Sequence, residues 1–179
     1  MELHNILSEK FAFNRLCMKS ITLVRHGKSS WKHNVSDRER PLKSRGFRDV
    51  KLVAEEFLGK SSVPRVIFTS PAKRALSTFE LFANSYNISQ KNITIVEDLY
   101  DFGGQNVIDF IKNLPDEINE VMIFGHNNAF TSISNIFGDV FIDNLPTSGL
   151  VKINFEINNW KDLKRGKTEF VIIPKELRK

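Results

Sequence analysis

Apolar runs of strand length alternate along the chain with longer segments whose apolar positions recur at helical spacing. "SITLV" (20–24) reads as a buried strand. "SRGFRDVKLVAEEFLG" (44–59) sets Phe47, Val50, Val53, Ala54, Phe57 and Leu58 on one helical face and stops at Gly59, a residue suited to a helix end. "RVIFTS" (65–70) is a second strand running into "SPAKRALSTFELFANSY", where Ser70 is placed to cap a helix and Pro71 to occupy its first turn. "ITIVE" (93–97), a helix at about 105–113, the strand "EVMIFGH" (120–126) and a helix starting near Asn127 follow. The end of the chain differs: "SGLVKINFEI" (148–157) and "TEFVIIP" (168–174) read as two strands with no convincing helix between them. Strands alternating with helices predict an α/β fold, a three-layer α/β/α sandwich whose central sheet is mostly parallel with an antiparallel portion at the end.

Length and composition narrow this picture. At 179 residues and 41% hydrophobic content the chain builds one core, and a second would be hard to fill. The lone Cys17 excludes an internal disulfide or a cysteine-based zinc site, and histidines at 4, 26, 33 and 126 show no metal-ligand spacing, so neither metal nor other cofactor is expected. A reducing cytoplasm is the expected compartment. The apolar runs fall far short of the ~20 residues a membrane helix needs, and the N-terminus has no signal-peptide pattern, so no membrane partner is expected. Of the net charge of +5, four units lie in 161–179, where seven basic residues face three acidic ones. Without aromatic-basic interleaving this reads as a solvated basic face able to attract an acidic protein, and not as a nucleic-acid stripe.

Candidate chemistry lies where strands end. Arg25-His26-Gly27 closes the first strand, Ser70-Pro71 the second with Arg74 one helical turn on, and Gly125-His126-Asn127 the fourth. Gly27 suits a sharp exit that needs positive φ. Taken alone, an Arg-His pair reads as a solvated rim. In open α/β sheets, however, ligands bind outside the carboxyl ends of the strands, so two arginines and two histidines can converge there. Arg74 near a helix N-terminus favours an anion, and guanidinium groups match phosphate oxygens bidentately.

The segments "LVRHGKSSW", "RPLKSRG", "FTSPAKRALST", "LY", "GHNN" and "LPTSGL", in this order, resemble the histidine phosphatase superfamily, with its phosphoglycerate-mutase-like fold, and specifically its short SixA-like phosphohistidine phosphatase branch. The resemblance covers residues 19 to about 174. It implies His26 as nucleophile, with Arg25, Arg74 and His126 completing the catalytic and phosphate-binding set and Asn127 adding to the phosphate site. It also implies a domain over 19–179 preceded by an extension, because the family begins at this strand and "MKSITLVRHG" supplies a start at Met18. Leu3, Leu7 and Phe11, each four apart, could instead form one face of a short helix packed on the domain. Longer relatives carry a helical insertion that caps the site; here 51 residues separate Arg74 from His126, filled by ordinary strand and helix.

The implied activity is metal-independent phosphatase chemistry through a phosphohistidine intermediate, acting on phosphohistidine of a protein such as a histidine phosphotransfer protein. A phosphomonoesterase for small phosphoesters and a noncatalytic phosphate-binding module are the alternatives. His26 must attack as the neutral ring, with neighbouring guanidinium charges pushing its pKa down, whereas His126 is expected to serve as a cation whose pKa the phosphoryl charge pushes up. In mutase-like relatives a Glu after the third strand donates the proton; the matching segment is Leu99-Tyr100-Asp101, which makes Asp101 the candidate, with Glu97 and Asp98 nearby. Trp31 and Trp160 are expected to pack, Arg40 to be a rim charge or a substrate contact, and Thr147-Ser148 to line the pocket or turn the chain.

Overall fold

The computed structural model describes residues 18–32, 34–89 and 93–178, so residues 1–17 of the N-terminal extension, with the Leu3, Leu7 and Phe11 face, lie outside the described residues, while Met18 opens the first strand. Strand β1 (Met18–Arg25) shows why the centre of the sheet is two-sided. Its side chains alternate between faces; Ile21 and Leu23 join one core cluster and Val24 the other, and all are buried. Strand β4 (Glu120–Gly125) repeats this, with Val121 and Ile123 on one face and Met122 and Phe124 on the other.

Between these strands run α1 (Ser44–Lys60), β2 (Val66–Thr69), α2 (Lys73–Tyr86), β3 (Ile93–Ile95) and α3 (Gln105–Lys112). After β4 come α4 (Asn127–Phe137), β5 (Leu150–Glu156), β6 (Lys167–Ile172) and the short α5 (Pro174–Leu177). The six-stranded sheet has the order β3-β2-β4-β1-β5-β6. β1, β2, β3 and β4 pair in parallel, and β5 and β6 add antiparallel. Residues of α1 and α2 pack with one core cluster and residues of α3 and α4 with the other, giving the three layers expected.

Two local expectations are corrected. Phe47 and Leu58 of α1 are exposed, because at 100° per residue they fall roughly 80–100° from Phe57, beyond the edge of the stripe that meets the sheet. Helix α2 begins at Lys73 with Ala72 as its N-cap and no side-chain cap, so Pro71 precedes the helix and Ser70 is free for another task.

The topology places the site. β1 and β4 are neighbours, with Arg25 paired to Gly125, yet the chain leaves β1 toward α1 on one face and β4 toward α4 on the other. A crevice opens where parallel strands part in this way. Among the described residues, no helix is long and apolar enough to cross a membrane.

Candidate active site

His26 and His126 leave the ends of β1 and β4 side by side, their ring centroids 5.4 Å apart. The backbone holding His26 is pinned on several sides. Its N–H donates to the Gly125 carbonyl at 3.0 Å, its carbonyl accepts from Ser148 N–H at 3.1 Å, and Gly27 N–H donates to Thr78 Oγ1 at 2.9 Å. Gly27 does not have positive φ; Gly104 alone does among the glycines of the described residues. Gly27 is required by close approach, since a Cβ there would come within 3.0 Å of Val50 and 3.2 Å of Leu42.

The ring chemistry of His26 follows from its partners. Nδ1 lies 2.8 Å from the carbonyl of Gly27, an acceptor only, so Nδ1 carries the proton and Nε2 keeps a lone pair. Arg74 Nε donates to that nitrogen at 3.3 Å. Burial drives the His26 pKa well below 6.5; the Gly27 carbonyl opposes this, and His126, Arg74 and Arg25 add to it. The ring is therefore neutral, the form in which nitrogen can attack phosphorus.

Arg74, the second residue of α2, is 1% exposed and joins the two histidines. One terminal nitrogen donates to the Asp37 carbonyl at 2.5 Å; the other donates to Asp37 Oδ2 at 2.9 Å and to His126 Nδ1 at 3.3 Å. His126 Nε2 faces Ser70 Oγ at 2.8 Å, which is the task that replaces helix capping for Ser70. Burial, then Arg74, push the His126 pKa down to about 3, with Asp37 opposing. The protein's own groups thus hold both rings neutral, and the expected cationic His126 depends on the charge of a bound phosphoryl group.

A cavity of about 380 Å³ opens above these residues. Arg25 lines it while donating to the Leu145 carbonyl at 2.5 Å, and its pKa falls to about 10 through burial. Among the described residues the buried Nε atoms of Arg25 and Arg40 have no hydrogen-bond partner. Both residues line the cavity, and guanidinium groups there suit an oxyanion. No group of three or more His, Cys, Asp or Glu among the described residues could hold a metal ion.

Asn127 also lines the cavity, at the start of α4; its amide donates to Asn144 at 2.7 Å and its oxygen accepts from Thr131 at 3.0 Å. Thr147 lines it as well, and Ser148 turns the chain at φ 64°. Asp101 is committed elsewhere: its carboxylate accepts from the backbone N–H groups of Gly103, Gly104, Asn106 and Val107 at the start of α3. Glu97 is paired at 2.6 Å with exposed Arg38, and Asp98 is exposed.

The carboxylate that does line the cavity is Asp37, from a single 3-10 turn (Asp37–Glu39) in the β1–α1 connection. Its Oδ1 accepts from Arg40 at 2.7 Å, and Oδ2 from Tyr100 Oη at 2.6 Å as well as from Arg74. Arg40 also donates to Ser29 Oγ. Sequence reasoning missed Asp37 because the only local signal is an acid three residues before Arg40, an ordinary surface spacing. Trp31 corrects another expectation: it is 73% exposed at the cavity mouth, with the Arg40 guanidinium 3.4 Å from its ring centre, whereas Trp160 packs fully buried.

The comparisons with known proteins agree with this geometry. An uncharacterized protein of Mycobacterium tuberculosis is 22% identical over 153 residues, covering 80% of this chain and 93% of the relative. The fold matches the protein histidine phosphatase SixA solved in complex with tungstate, with TM-score 0.74, 20% identity and coverage of 89% of this chain and 99% of that one. It also matches a mycobacterial glucosyl-3-phosphoglycerate phosphatase, with TM-score 0.60, 10% identity and coverage of 84% and 97%. Residues 21–120 match the family model of the histidine phosphatase superfamily, branch 1, and with the paired histidines and arginines set at the crevice between β1 and β4, this chain belongs to that superfamily.

Proposed function

We propose that this member of the histidine phosphatase superfamily is a phosphatase that works through a phospho-His26 intermediate and acts on phosphohistidine presented by a protein. The observation that carries the mechanism is the His26 ring, whose proton is held on Nδ1 by the Gly27 carbonyl while Nε2 faces Arg74. Nε2 attacks phosphorus, the bond from phosphorus to the leaving atom breaks, and its electron pair departs with the leaving group. Water then attacks phospho-His26, returning the ring with its lone pair, so one difficult step becomes two. Arg25, Arg74 and His126 stabilise charge on the transferring oxygens, the main source of acceleration in phosphoryl transfer.

The preference for a protein substrate is supported by what lies between Arg74 and His126. That stretch is the rest of α2, β3, a 3-10 turn (Glu97–Leu99), α3 and β4, all within the sandwich, with no inserted domain over the cavity among the described residues. A phosphoryl group carried on a protein surface can therefore reach the strand ends directly.

The test is a comparison of kcat/KM for a phosphorylated histidine phosphotransfer domain, phosphoserine peptides and sugar phosphates under matched salt. Phosphohistidine is expected to be favoured, and His26→Ala to abolish both turnover and the trapped phosphoenzyme. Activity is expected to survive chelation. A small phosphoester turned over more efficiently would refute the protein substrate and leave the His26 mechanism standing; full turnover by the His26 variant would refute the mechanism.

A further inference from the structure

The carboxylates near the reacting centre are poorly suited to general acid catalysis. Asp101 spends its oxygens on four backbone amides. Asp37, the acid lining the cavity, is surrounded by donors: Arg40 on Oδ1, and Arg74 and Tyr100 on Oδ2. Burial raises its pKa, but Tyr100, Arg74 and Arg40 outweigh this and hold the carboxyl below its usual range. A group kept ionised in this way accepts hydrogen bonds and does not donate a proton.

A carboxylate offers about four acceptor directions. Three are taken by the donors above, and the fourth lies on Oδ1. The side chain is 37% exposed and lines the cavity, where a bound molecule can approach the carboxylate. Arg74 spans the distance between the nucleophile and this carboxylate, with Nε on His26 and a terminal nitrogen on Asp37.

Phosphohistidine makes a specific demand on such a position. When its ring is protonated on the nitrogen that does not carry phosphorus, the leaving group departs as neutral imidazole and needs no proton donor. Resting on the proposed phosphohistidine activity, we infer that Asp37 selects nitrogen-linked phosphoryl groups by accepting the N–H of the departing imidazolium on Oδ1. The Gly27 carbonyl performs the same task for His26. As the P–N bond to the substrate ring breaks, its electron pair goes to that ring, which leaves neutral with its proton still facing Asp37. The His26 Nε2 lone pair forms the new P–N bond, so the His26 ring takes up the positive charge with its proton still facing Gly27. An alkyl phosphoester gains nothing from this arrangement: its alkoxide needs a proton that ionised Asp37 does not supply, and it has no N–H to offer the carboxylate.

The experiment compares free phosphohistidine with para-nitrophenyl phosphate, whose leaving group carries no N–H. Asp37→Asn is expected to lower kcat/KM for phosphohistidine about ten-fold or more, the effect of losing one charge-assisted hydrogen bond. Turnover of para-nitrophenyl phosphate, which Asp37 supports only through Arg74, is expected to fall less, so that the ratio of the two kcat/KM values drops. Tyr100→Phe, which keeps the charge, is expected to keep the wild-type ratio of the two substrates. An equal loss on both substrates in Asp37→Asn would overturn the inference and reduce Asp37 to a support for Arg74. If Asp37→Asn does not fold, the unaltered protein decides: relative to uncatalysed rates, N-phosphorylimidazole should outpace its N-methylated cation, which has the charge but no N–H, and equal acceleration overturns the inference. Failure of the proposed activity looks different, because the wild-type protein itself would then show no preference for phosphohistidine.

Discussion

Ser70→Ala separates a structural hydroxyl from a catalytic support. Ser70 is fully buried, and its Oγ lies 2.8 Å from His126 Nε2 and 3.3 Å from the N–H of Ala72. With His126 Nδ1 facing an Arg74 donor, Nε2 carries the ring proton and Ser70 accepts it. Removing the hydroxyl leaves a buried N–H without a partner, which costs about 1–3 kcal/mol. Expressed wholly in transition-state stabilisation, that is a fall of about 5- to 150-fold in kcat/KM. The assay is a double-mutant cycle with His126→Ala on para-nitrophenyl phosphate, with thermal melts of all four proteins. Ser70→Ala is expected to lower kcat/KM in the wild-type background and to have little further effect once His126 is gone. Wild-type activity in Ser70→Ala, or the same loss with and without His126, would refute the reasoning and return Ser70 to a purely structural role.

Two further predictions concern stability. His126, pushed down to about 3, and His26, also driven well below 6.5, are neutral in the folded protein, so the unfolded chain alone binds protons as pH falls below 6.5. Stability is little affected by these rings above that pH and falls below it, with a slope approaching about 1.4 kcal/mol per pH unit for His126 and a further contribution of the same sign from His26; urea melts should show this, with the slope reduced in His126→Ala, and an unchanged slope would count against a buried neutral ring. Lys19→Met removes donors to the carbonyls of Asp116 and Ile118, at 2.7 and 3.0 Å, from a fully buried position at the start of β1. It should cost about 2–4 kcal/mol in denaturant unfolding while kcat of folded protein is unchanged, and a neutral effect would show that water replaces the lysine.

The order of strands and helices was legible because burial on two sheet faces writes itself into local sequence. "VMIF" is apolar throughout and "ITLV" is apolar but for the β-branched Thr22, as suits strands covered on both sides. The same alternation located the strand ends, so His26, Arg25, Arg74 and His126 could be named before their distances were known. What tertiary structure alone decided is which polar groups meet. Asp37 reaches Arg74 and Tyr100 across 37 and 63 residues of chain, and Ser70 reaches His126 across 56. A single 3-10 turn and a serine beside a proline carry no periodic signal that foretells such partners. Trp31 and Asp101 illustrate the same limit in opposite directions. An aromatic residue expected to pack is held at the cavity mouth because Arg40 stacks on it, and a carboxylate expected to donate a proton is drawn to four backbone amides at the start of α3. Local hydrophobicity determines where the chain is buried; the protonation and hydrogen bonding of side chains depend on neighbours that only folding brings together.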